Sequence, residues 1–237
     1  MAKASLAGAV KTRLVPPLTY DEAARLNTAC LADVAANVAA AAKEVPICGF
    51  VAYDPIGEER FFQELLPEGF ALLAPKEPSL GRSLHHAAKA LFAAGYGSVC
   101  LVNADSPTLP TAVLVAAVRR LQEPGDRVVL GPAADGGYYL IGLKRFHPHL
   151  FEAIDWSTER VCRQTMERAA AIGVPVELLA RWYDVDDAPS LALLGAEIGP
   201  GPAAHIYPGG FAAPRTAALL ARLALANGNL RRLFGMS

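Results

Sequence analysis

The sequence predicts an α/β protein with a mostly parallel sheet and helices on both of its faces. Helical segments alternate with short apolar strands between residues 20 and 195, and no repeat or low-complexity linker interrupts them. Of the 237 residues, 53% are hydrophobic and 19% are charged, which is typical of an ordered globular protein with a large core. Alternation of this kind is typical of a sheet that helices cover on both sides.

The helices are predicted from apolar residues at helical spacing and from capping residues. Three of them cover residues 20–43, 79–95 and 110–122, and the first can be capped by Thr19 or Asp21. A fourth reaches Ile172 from a cap at Ser157 or Thr158. Short apolar runs predict strands over residues 47–53, 70–73, 99–102, 128–130, 138–143 and 176–179.

The segment 126–143 places an acid and two glycines, Asp135, Gly136 and Gly137, between two apolar strands. Glycine adopts positive φ and lets a ligand approach the main chain, so this break is a candidate binding loop. A hairpin with a bulge explains the same pattern without a ligand.

Further acids lie at or near the ends of predicted strands. Asp105 follows the strand 99–102, at the edge where open α/β folds bind ligands, although it could also cap the next turn. Asp184 and Asp186 point to the same side of an extended segment and could share one cation, or could form a solvated turn. Their carboxylates are ligands of the kind that Mg²⁺ prefers.

A basic loop precedes the first helix and contains Gly8, Lys11 and Arg13. Backbone N–H groups and two cations can cradle phosphates there, and a solvated basic turn is the alternative. Ser157 and Thr158 would contact an acceptor if they do not merely cap a helix.

Several classes of protein are disfavoured. A net charge of −1 gives no support for nucleic-acid binding, and no apolar run approaches the length of a membrane span. The start of the chain lacks the pattern of a signal peptide, so we expect a cytoplasmic protein. The four cysteines are expected to be buried free thiols in a reducing compartment. Two hydrolase motifs, Gly-x-Ser-x-Gly and His-Glu-x-x-His, do not occur.

The Gly-Pro-Gly-Pro run at residues 199–202 predicts a boundary between a catalytic domain (1–198) and a C-terminal extension (199–237). Pro214 can open a short helix in this extension. We expect a docked helix or a frayed tail, with a cap over the acceptor or a homodimer contact as alternatives.

Five motifs occur in one order: KTRL (11–14), ADSP (104–107), GPAADGGYYLIGL (131–143), WST (156–158) and DVD (184–186). Together they resemble a bacterial family of glycosyltransferase-A-fold proteins, the nucleotide-diphospho-sugar transferases, over about residues 3–195. The family is similar in outline to molybdenum-cofactor and phospholactate guanylyltransferases. The resemblance implies a three-layer, Rossmann-like fold with a mixed, mostly parallel central sheet.

The resemblance also implies roles for the site residues. The nucleotide or nucleotide-sugar would lie near the first loop, with Lys11 and Arg13 on its phosphates. Asp105 would bind Mg²⁺ or Mn²⁺, and Asp184 and Asp186 would complete the metal or acceptor side. Asp135 to Gly137 would line the pocket of a small-molecule acceptor, where Asp135 could act as a general base.

The chain departs from the family pattern at three places. The family begins with an apolar strand before the first loop, whereas this sequence starts at Met1, so we expect either upstream residues or no central strand. In that loop the family has a Lys-x-Pro sequence and a Pro-Gly pair. Neither occurs here, and Ala7-Gly8 stands at the position of the Pro-Gly pair. The usual Thr-Pro-Glu-Asp reads Asp-Ala-Pro-Ser at residues 187–190.

The leading hypothesis is a metal-dependent transferase that moves a sugar from a nucleoside-diphosphate sugar to an acceptor. Nucleotidyl transfer from a nucleoside triphosphate, with release of pyrophosphate, is the closest alternative, and the cationic first loop favours it. The third hypothesis is a degenerate, non-catalytic nucleotide-binding protein, because of the shortened start.

Overall fold

The computed structural model describes residues 1–73, 77, 79–199 and 209–236. Within them, the strands are β1 (Ala2–Lys3), β2 (Phe50–Asp54), β3 (Ala71–Leu73), β4 (Val99–Val102), β5 (Val128–Pro132), β6 (Tyr138–Leu143) and β7 (Val176–Leu178). The α-helices are α1 (Tyr20–Ala41), α2 (Glu59–Leu65), α3 (Leu80–Ala93), α4 (Thr111–Gln122), α5 (Val161–Ala171), α6 (Ala188–Ile198), α7 (Pro214–Ala226) and α8 (Gly228–Leu233). Two 3-10 helices cover Thr12–Leu14 and Pro148–Phe151.

The strands form two sheets, where the sequence predicts one. The first is parallel, with the order β1-β2-β3, and the second has the order β4-β6-β5-β7, with β6 antiparallel to both of its neighbours. The sheets adjoin at β1, where the amino group of Met1 donates a hydrogen bond to the carbonyl of Val102 at 3.3 Å. Because β1 has only two residues, the junction that it and Met1 make between β2 and β4 in the described residues is confined to the carboxyl ends of those strands.

Helices cover both faces of the four-stranded sheet. Val129 and Leu140 pack into a core cluster with α1, α4, α6, α7 and α8, whereas Val128 and Leu130 pack into a second cluster with α3 and α5. Neighbouring residues of a strand point to opposite faces, which explains how one strand supplies both clusters. The predicted α/β class is therefore confirmed.

The helix bounds agree with the sequence for α1, α3 and α4, each to within two residues. Thr19 and Glu22 form a capping box at the start of α1. The fourth predicted helix is different, because α5 begins at Val161 and neither Ser157 nor Thr158 caps it. Ser157 has a φ of 65°, which is incompatible with a cap, and the hydroxyl of Thr158 donates to its own loop. Helices α2, α6 and α8 were not predicted.

The acid-Gly-Gly segment is the turn of a hairpin. β5 and β6 are antiparallel, with a register shift between Gly131 and Pro132, so the hairpin with a bulge describes the backbone correctly. In the turn, Asp135 Oδ1 accepts a hydrogen bond from the backbone N–H of Gly137 at 2.8 Å, and Gly136 has a φ of 91°.

Helix α7 of the C-terminal region packs against α1, and α8 packs against α7. The buried carboxylate of Asp33 accepts hydrogen bonds from the backbone N–H groups of Arg215 and Thr216, at 3.2 and 2.7 Å, and so caps α7 from within α1. Part of the predicted boundary, residues 200–202, lies outside the described residues. No helix in the described ranges has the length and apolar character needed to cross a membrane.

The cysteines are all free, as expected, but they are not all buried. Cys30 and Cys162 are buried, Cys100 is partly exposed, and Cys48 is exposed. The prediction of burial is wrong for Cys48 because this residue lies in the loop between α1 and β2.

Candidate functional site

Three segments that are distant in sequence meet beyond the carboxyl end of β4. Lys11 lies in the loop after β1, Asp105 follows β4, and Asp186 precedes α6. The edge at which β-strands end is the usual ligand site of open α/β folds. This grouping is therefore the candidate functional site.

Lys11 holds these segments together. Its backbone is left-handed, with a φ of 46°, and only 3% of its side chain is exposed. The Nζ atom donates hydrogen bonds to Asp105 Oδ1 at 2.6 Å and to the carbonyl of Val185 at 2.8 Å, and it lies 3.9 Å from Asp186 Oδ1. The backbone N–H of Val185 in turn donates to the carbonyl of Asp105 at 2.9 Å.

The surrounding acids keep Lys11 charged. Burial by itself would lower the pKa of the Lys11 ammonium, but Asp105 and Asp186 outweigh burial, and the pKa lies above its ordinary value. The ammonium therefore serves as a permanent counter-charge inside the acid cluster at neutral pH.

Arg13 contacts the same cluster from the solvent side. Its Nη2 atom donates to Asp186 Oδ2 at 2.7 Å, while 70% of its side chain is exposed. A guanidinium has five N–H donors in a planar fork, so one bond to Asp186 leaves others free to meet an anion.

The acids outnumber these two cations. Burial and then the negative charges of Asp135 and Asp186 together raise the pKa of Asp184 from its ordinary value to about 7. The pKa of Asp186 is also raised, by burial first and then by Asp105, against the opposing effects of Lys11 and Arg13. Crowded carboxylates of this kind favour an additional cation.

Buried aromatic residues hold the acidic segment in place. The hydroxyl of Tyr183 is hydrogen-bonded to Glu197 and accepts a bond from Thr108 Oγ1 at 3.1 Å. The backbone N–H of Trp182 donates to the carbonyl of Pro132 at 3.1 Å, which ties the segment to the β5–β6 hairpin. Sequence analysis missed these residues, although the Trp-Tyr pair directly before the acids was a usable signal.

The remaining predicted residues lie in the first loop, in the hairpin turn and in the loop before α5. Gly8 is exposed, has a φ of 78°, and forms part of the turn that precedes Lys11. Gly136 packs against a second loop, because a Cβ at this position would lie 2.3 Å from the carbonyl oxygen of Glu159. Ser157 is exposed on that loop.

Within the described residues, the hydroxyl group of Thr158 makes hydrogen bonds only in its own loop. Its hydroxyl donates to the carbonyl of Asp155 at 2.7 Å and accepts from the N–H of Arg160 at 3.3 Å. The structure thus groups Lys11 and Arg13 with Asp105 and Asp186, and it leaves Ser157 and Thr158 outside that set of contacts.

The donor chemistry of the site fits a divalent cation that is shared with a substrate. Among the described residues, no three His, Cys, Asp or Glu side chains are grouped closely enough to hold a metal by themselves. Mg²⁺, however, is usually held by one or two carboxylates together with substrate phosphates. Asp105 and Asp186 are 34% and 37% exposed, so their oxygens are accessible for this purpose. The position of Lys11 Nζ between them shows that this part of the site attracts positive charge.

Comparison with known proteins supports a family assignment. A family model described as "Uncharacterized protein conserved in bacteria (DUF2064)" matches residues 36–158, which is just over half of the chain. The chain belongs to the DUF2064 family. The matched range includes Asp105, Asp135 and the hairpin turn, and it ends at Thr158.

One solved structure extends the comparison beyond the range of the DUF2064 model. The chain is 29% identical to a protein from Desulfovibrio desulfuricans G20, whose 1.90 Å crystal structure is described as that of a "putative nucleotide-diphospho-sugar transferase". The match has a TM-score of 0.79 and covers 98% of this chain and 95% of the other. No curated protein matches the chain.

Proposed function

We propose that this protein is a nucleotide-diphospho-sugar transferase with the glycosyltransferase-A layout, which moves a sugar from a nucleoside-diphosphate sugar to a small-molecule acceptor. The observation that carries the proposal is the contact of Lys11 and Arg13 with Asp105 and Asp186 at the end of β4. This arrangement combines phosphate-binding cations with carboxylates that suit a metal. The similarity to the Desulfovibrio protein over nearly the whole of both chains supports the same activity.

The diphosphate of the donor would bind against the first loop. Arg13 would meet a phosphate oxygen with the N–H groups that Asp186 does not use. Lys11 would add a second positive charge below it, and the turn at Gly8 would offer backbone N–H groups. Because Lys11 already bonds to Asp105, its contribution is mainly electrostatic unless the side chain moves toward the ligand.

Mg²⁺ or Mn²⁺ would be held by Asp105 and Asp186 together with phosphate oxygens of the donor, and Asp184, predicted as a third ligand, would contribute negative charge from nearby. When bound, a divalent cation would neutralise the diphosphate and stabilise negative charge on the departing oxygen. The excess of carboxylates over cations in the described site supports this cofactor.

The acceptor would bind on the side of the β5–β6 hairpin. Asp135 is exposed there and is close enough to Asp184 to raise its pKa, so it borders the acid cluster. We assign to Asp135 the role of accepting the proton of the acceptor hydroxyl. Gly136 and Gly137 would line this side of the acceptor pocket with their backbone, and Ser157 and Thr158 would contact the acceptor from the adjoining loop, against which Gly136 packs.

A thermal-shift panel tests the proposal. The chain is heated with UDP-, GDP-, ADP-, CDP- and dTDP-sugars and with the four nucleoside triphosphates, in Mg²⁺, in Mn²⁺ and in EDTA. We expect one class of nucleotide-sugar to raise the melting temperature by several degrees only when metal is present, because a ligand at 100 times its dissociation constant stabilises by about 2.7 kcal/mol.

Asp105→Asn should remove this shift, and Asp126→Asn provides a matched control. Asp126 is also part-buried and paired, at 2.8 Å from His147 Nε2, but it lies before β5 at the opposite end of the strands. A shift with one triphosphate and release of pyrophosphate would replace sugar transfer with nucleotidyl transfer. No shift with any nucleotide would contradict the proposal.

A further inference from the structure

The ammonium of Lys11 lies among the oxygen atoms that a shared cation would use. Its Nζ atom is 2.6 Å from Asp105 Oδ1 and 3.9 Å from Asp186 Oδ1, and it donates to the carbonyl of Val185 at 2.8 Å. Only 3% of the Lys11 side chain is exposed, so water has little access to these contacts. Carboxylate and carbonyl oxygens are also the ligands of hard divalent cations. Lys11 and such a cation therefore compete for the same atoms.

The first loop is built to hold Lys11 in this position. The residue has a φ of 46° and a ψ of 38°, a left-handed conformation that is uncommon for a residue other than glycine and persists only where its surroundings enforce it. It directly precedes the 3-10 helix Thr12–Leu14, whose last residue is completely buried in the core. The contact of Lys11 with the acids is thus fixed by the fold and is not a passing contact at the surface.

A divalent cation that enters alone meets the ammonium. It cannot use Asp105 Oδ1 while Nζ is bonded to that atom, and on the second oxygen of Asp105 it would lie a few ångströms from a like charge. Loss of one hydrogen bond between charged groups corresponds to a factor of about ten in affinity. The native site is therefore expected to bind a free divalent cation weakly.

A bound diphosphate supplies the partner that a displaced ammonium needs. Arg13 contacts Asp186 from the solvent side of the same cluster, and the proposed function places the phosphates against this part of the first loop. A lysine side chain has a flexible stem, so Nζ can turn from Asp105 to a phosphate oxygen while the backbone stays in place. The oxygen atoms of Asp105 then become available.

We propose that Lys11 serves as the cation of the site before substrate binds and releases Asp105 and Asp186 to a divalent cation when a diphosphate binds with it. The inference rests on the proposed function and adds an order to it, because cation and donor enter together rather than the cation first. Each should strengthen the binding of the other by the same factor, since coupling between two ligands is reciprocal.

Equilibrium dialysis with Mn²⁺ tests the inference, with inorganic pyrophosphate as a diphosphate that has neither base nor sugar. The native chain should retain Mn²⁺ at least tenfold more tightly with pyrophosphate than without it. Lys11→Met should retain Mn²⁺ alone at least tenfold more tightly than the native chain, because Asp105 is then free of the ammonium. The matched control Arg13→Gln removes an exposed, screened cation from the same cluster, so its affinity for Mn²⁺ alone should change by less than about threefold.

The dialysis separates failure of the inference from failure of the proposed function. If the native chain and Lys11→Met retain Mn²⁺ alone equally well, the inference is overturned, whereas the proposed function stands on the nucleotide-sugar panel. If neither protein retains Mn²⁺ even with pyrophosphate, the inference is overturned together with the metal site of the proposed function.

A measurement on the native chain avoids the buried bonds that Lys11→Met loses. The Nζ–H signals of lysine are followed by NMR in isotope-labelled protein. Mg²⁺ with pyrophosphate should move the signal of Lys11, because its ammonium exchanges Asp105 for a phosphate oxygen. The signal of Lys144 is the internal control and should stay unchanged, since its Nζ atom donates to the carbonyls of Leu121 and Glu123. An unchanged Lys11 signal at saturating Mg²⁺ and pyrophosphate would overturn the inference.

Discussion

Replacing Lys11 with methionine tests the central contact of the site. The substitution keeps an unbranched apolar side chain of similar length but removes the ammonium that bonds to Asp105 and to the Val185 carbonyl. Among the hydrogen bonds of the described residues, the backbone bond from Val185 to Asp105 would then remain between the end of β4 and residues 184–186, beside the bond from Thr108 to Tyr183.

The magnitude follows from burial. Hydrogen bonds that involve a charged group each contribute about 1.5–3 kcal/mol, and Lys11 makes two of them with 3% of its side chain exposed. Asp105 is 34% exposed, so water recovers part of the loss at its carboxylate. We therefore expect Lys11→Met to lower the free energy of unfolding by about 2–4 kcal/mol.

Urea denaturation at pH 7 measures this change as a shift in midpoint at constant slope. Arg13→Gln is the matched control, because it breaks a bond to the same cluster from a side chain that is 70% exposed, and it should cost less than about 1 kcal/mol. In an Asp105→Asn background, the cost of Lys11→Met should fall to roughly half. If Lys11→Met costs no more than Arg13→Gln, the buried ammonium does not hold the segments together.

Three further substitutions have expected outcomes in urea or thermal melts. The pKa of Asp184 is raised to about 7, so the stability that its protonated form contributes is fully present below the ordinary pKa of an aspartate and is lost as the pH rises through 7. The free energy of unfolding of Asp184→Asn should therefore equal that of the native chain near pH 4 and exceed it by about 1–2 kcal/mol at pH 8. The hydrogen bond from Ser190 lowers the pKa of Asp187, so Asp187→Ala should cost about 1 kcal/mol of cap stability at pH 7, and the difference should disappear in acid. Gly136 has a φ of 91°, and a Cβ at this position would press on the backbone of Glu159, so Gly136→Ala should lower the melting temperature by about 10 °C. Gly173 has a φ of 68° but faces open space, so the control Gly173→Ala should lower the melting temperature by about 3 °C.

The strands were the most predictable elements, because continuous apolar runs bounded by polar or glycine residues specify them locally. β4 and β6 have the bounds that the sequence predicts, Val99–Val102 and Tyr138–Leu143. Helix α6 was missed, although Asp187 followed by Pro189 and Ser190 is a helix start by local rules. From the sequence, Asp184 and Asp186 predict a turn or a metal site, whereas in the structure the neighbouring Asp187 caps the apolar helix that follows.

The sequence could identify residues that belong to the site but not which of them contact one another. The motifs brought Lys11, Asp105 and Asp186 to attention, and these residues meet in the structure. That Lys11 is buried on the aspartates rather than exposed beside them depends on where three distant segments pack. Lys11 is separated along the chain by 94 residues from Asp105 and by 174 residues from Val185, so no local sequence pattern predicts these bonds. The roles of these residues in binding and catalysis remain predictions.

The first loop is held at both of its ends. β1 pairs with β2, and the seven residues after β1 lead to Lys11. This stretch is also held by a bond from the N–H of Ala4 to the carbonyl of Asp54 at 2.8 Å and by the side chain of Asn27, which donates to Lys3 and Ser5. Lys11 fixes the far end of the loop on Asp105 and on the carbonyl of Val185. Part of the ordering cost of placing Lys11 and Arg13 on a diphosphate would therefore be met during folding, which favours ligand affinity.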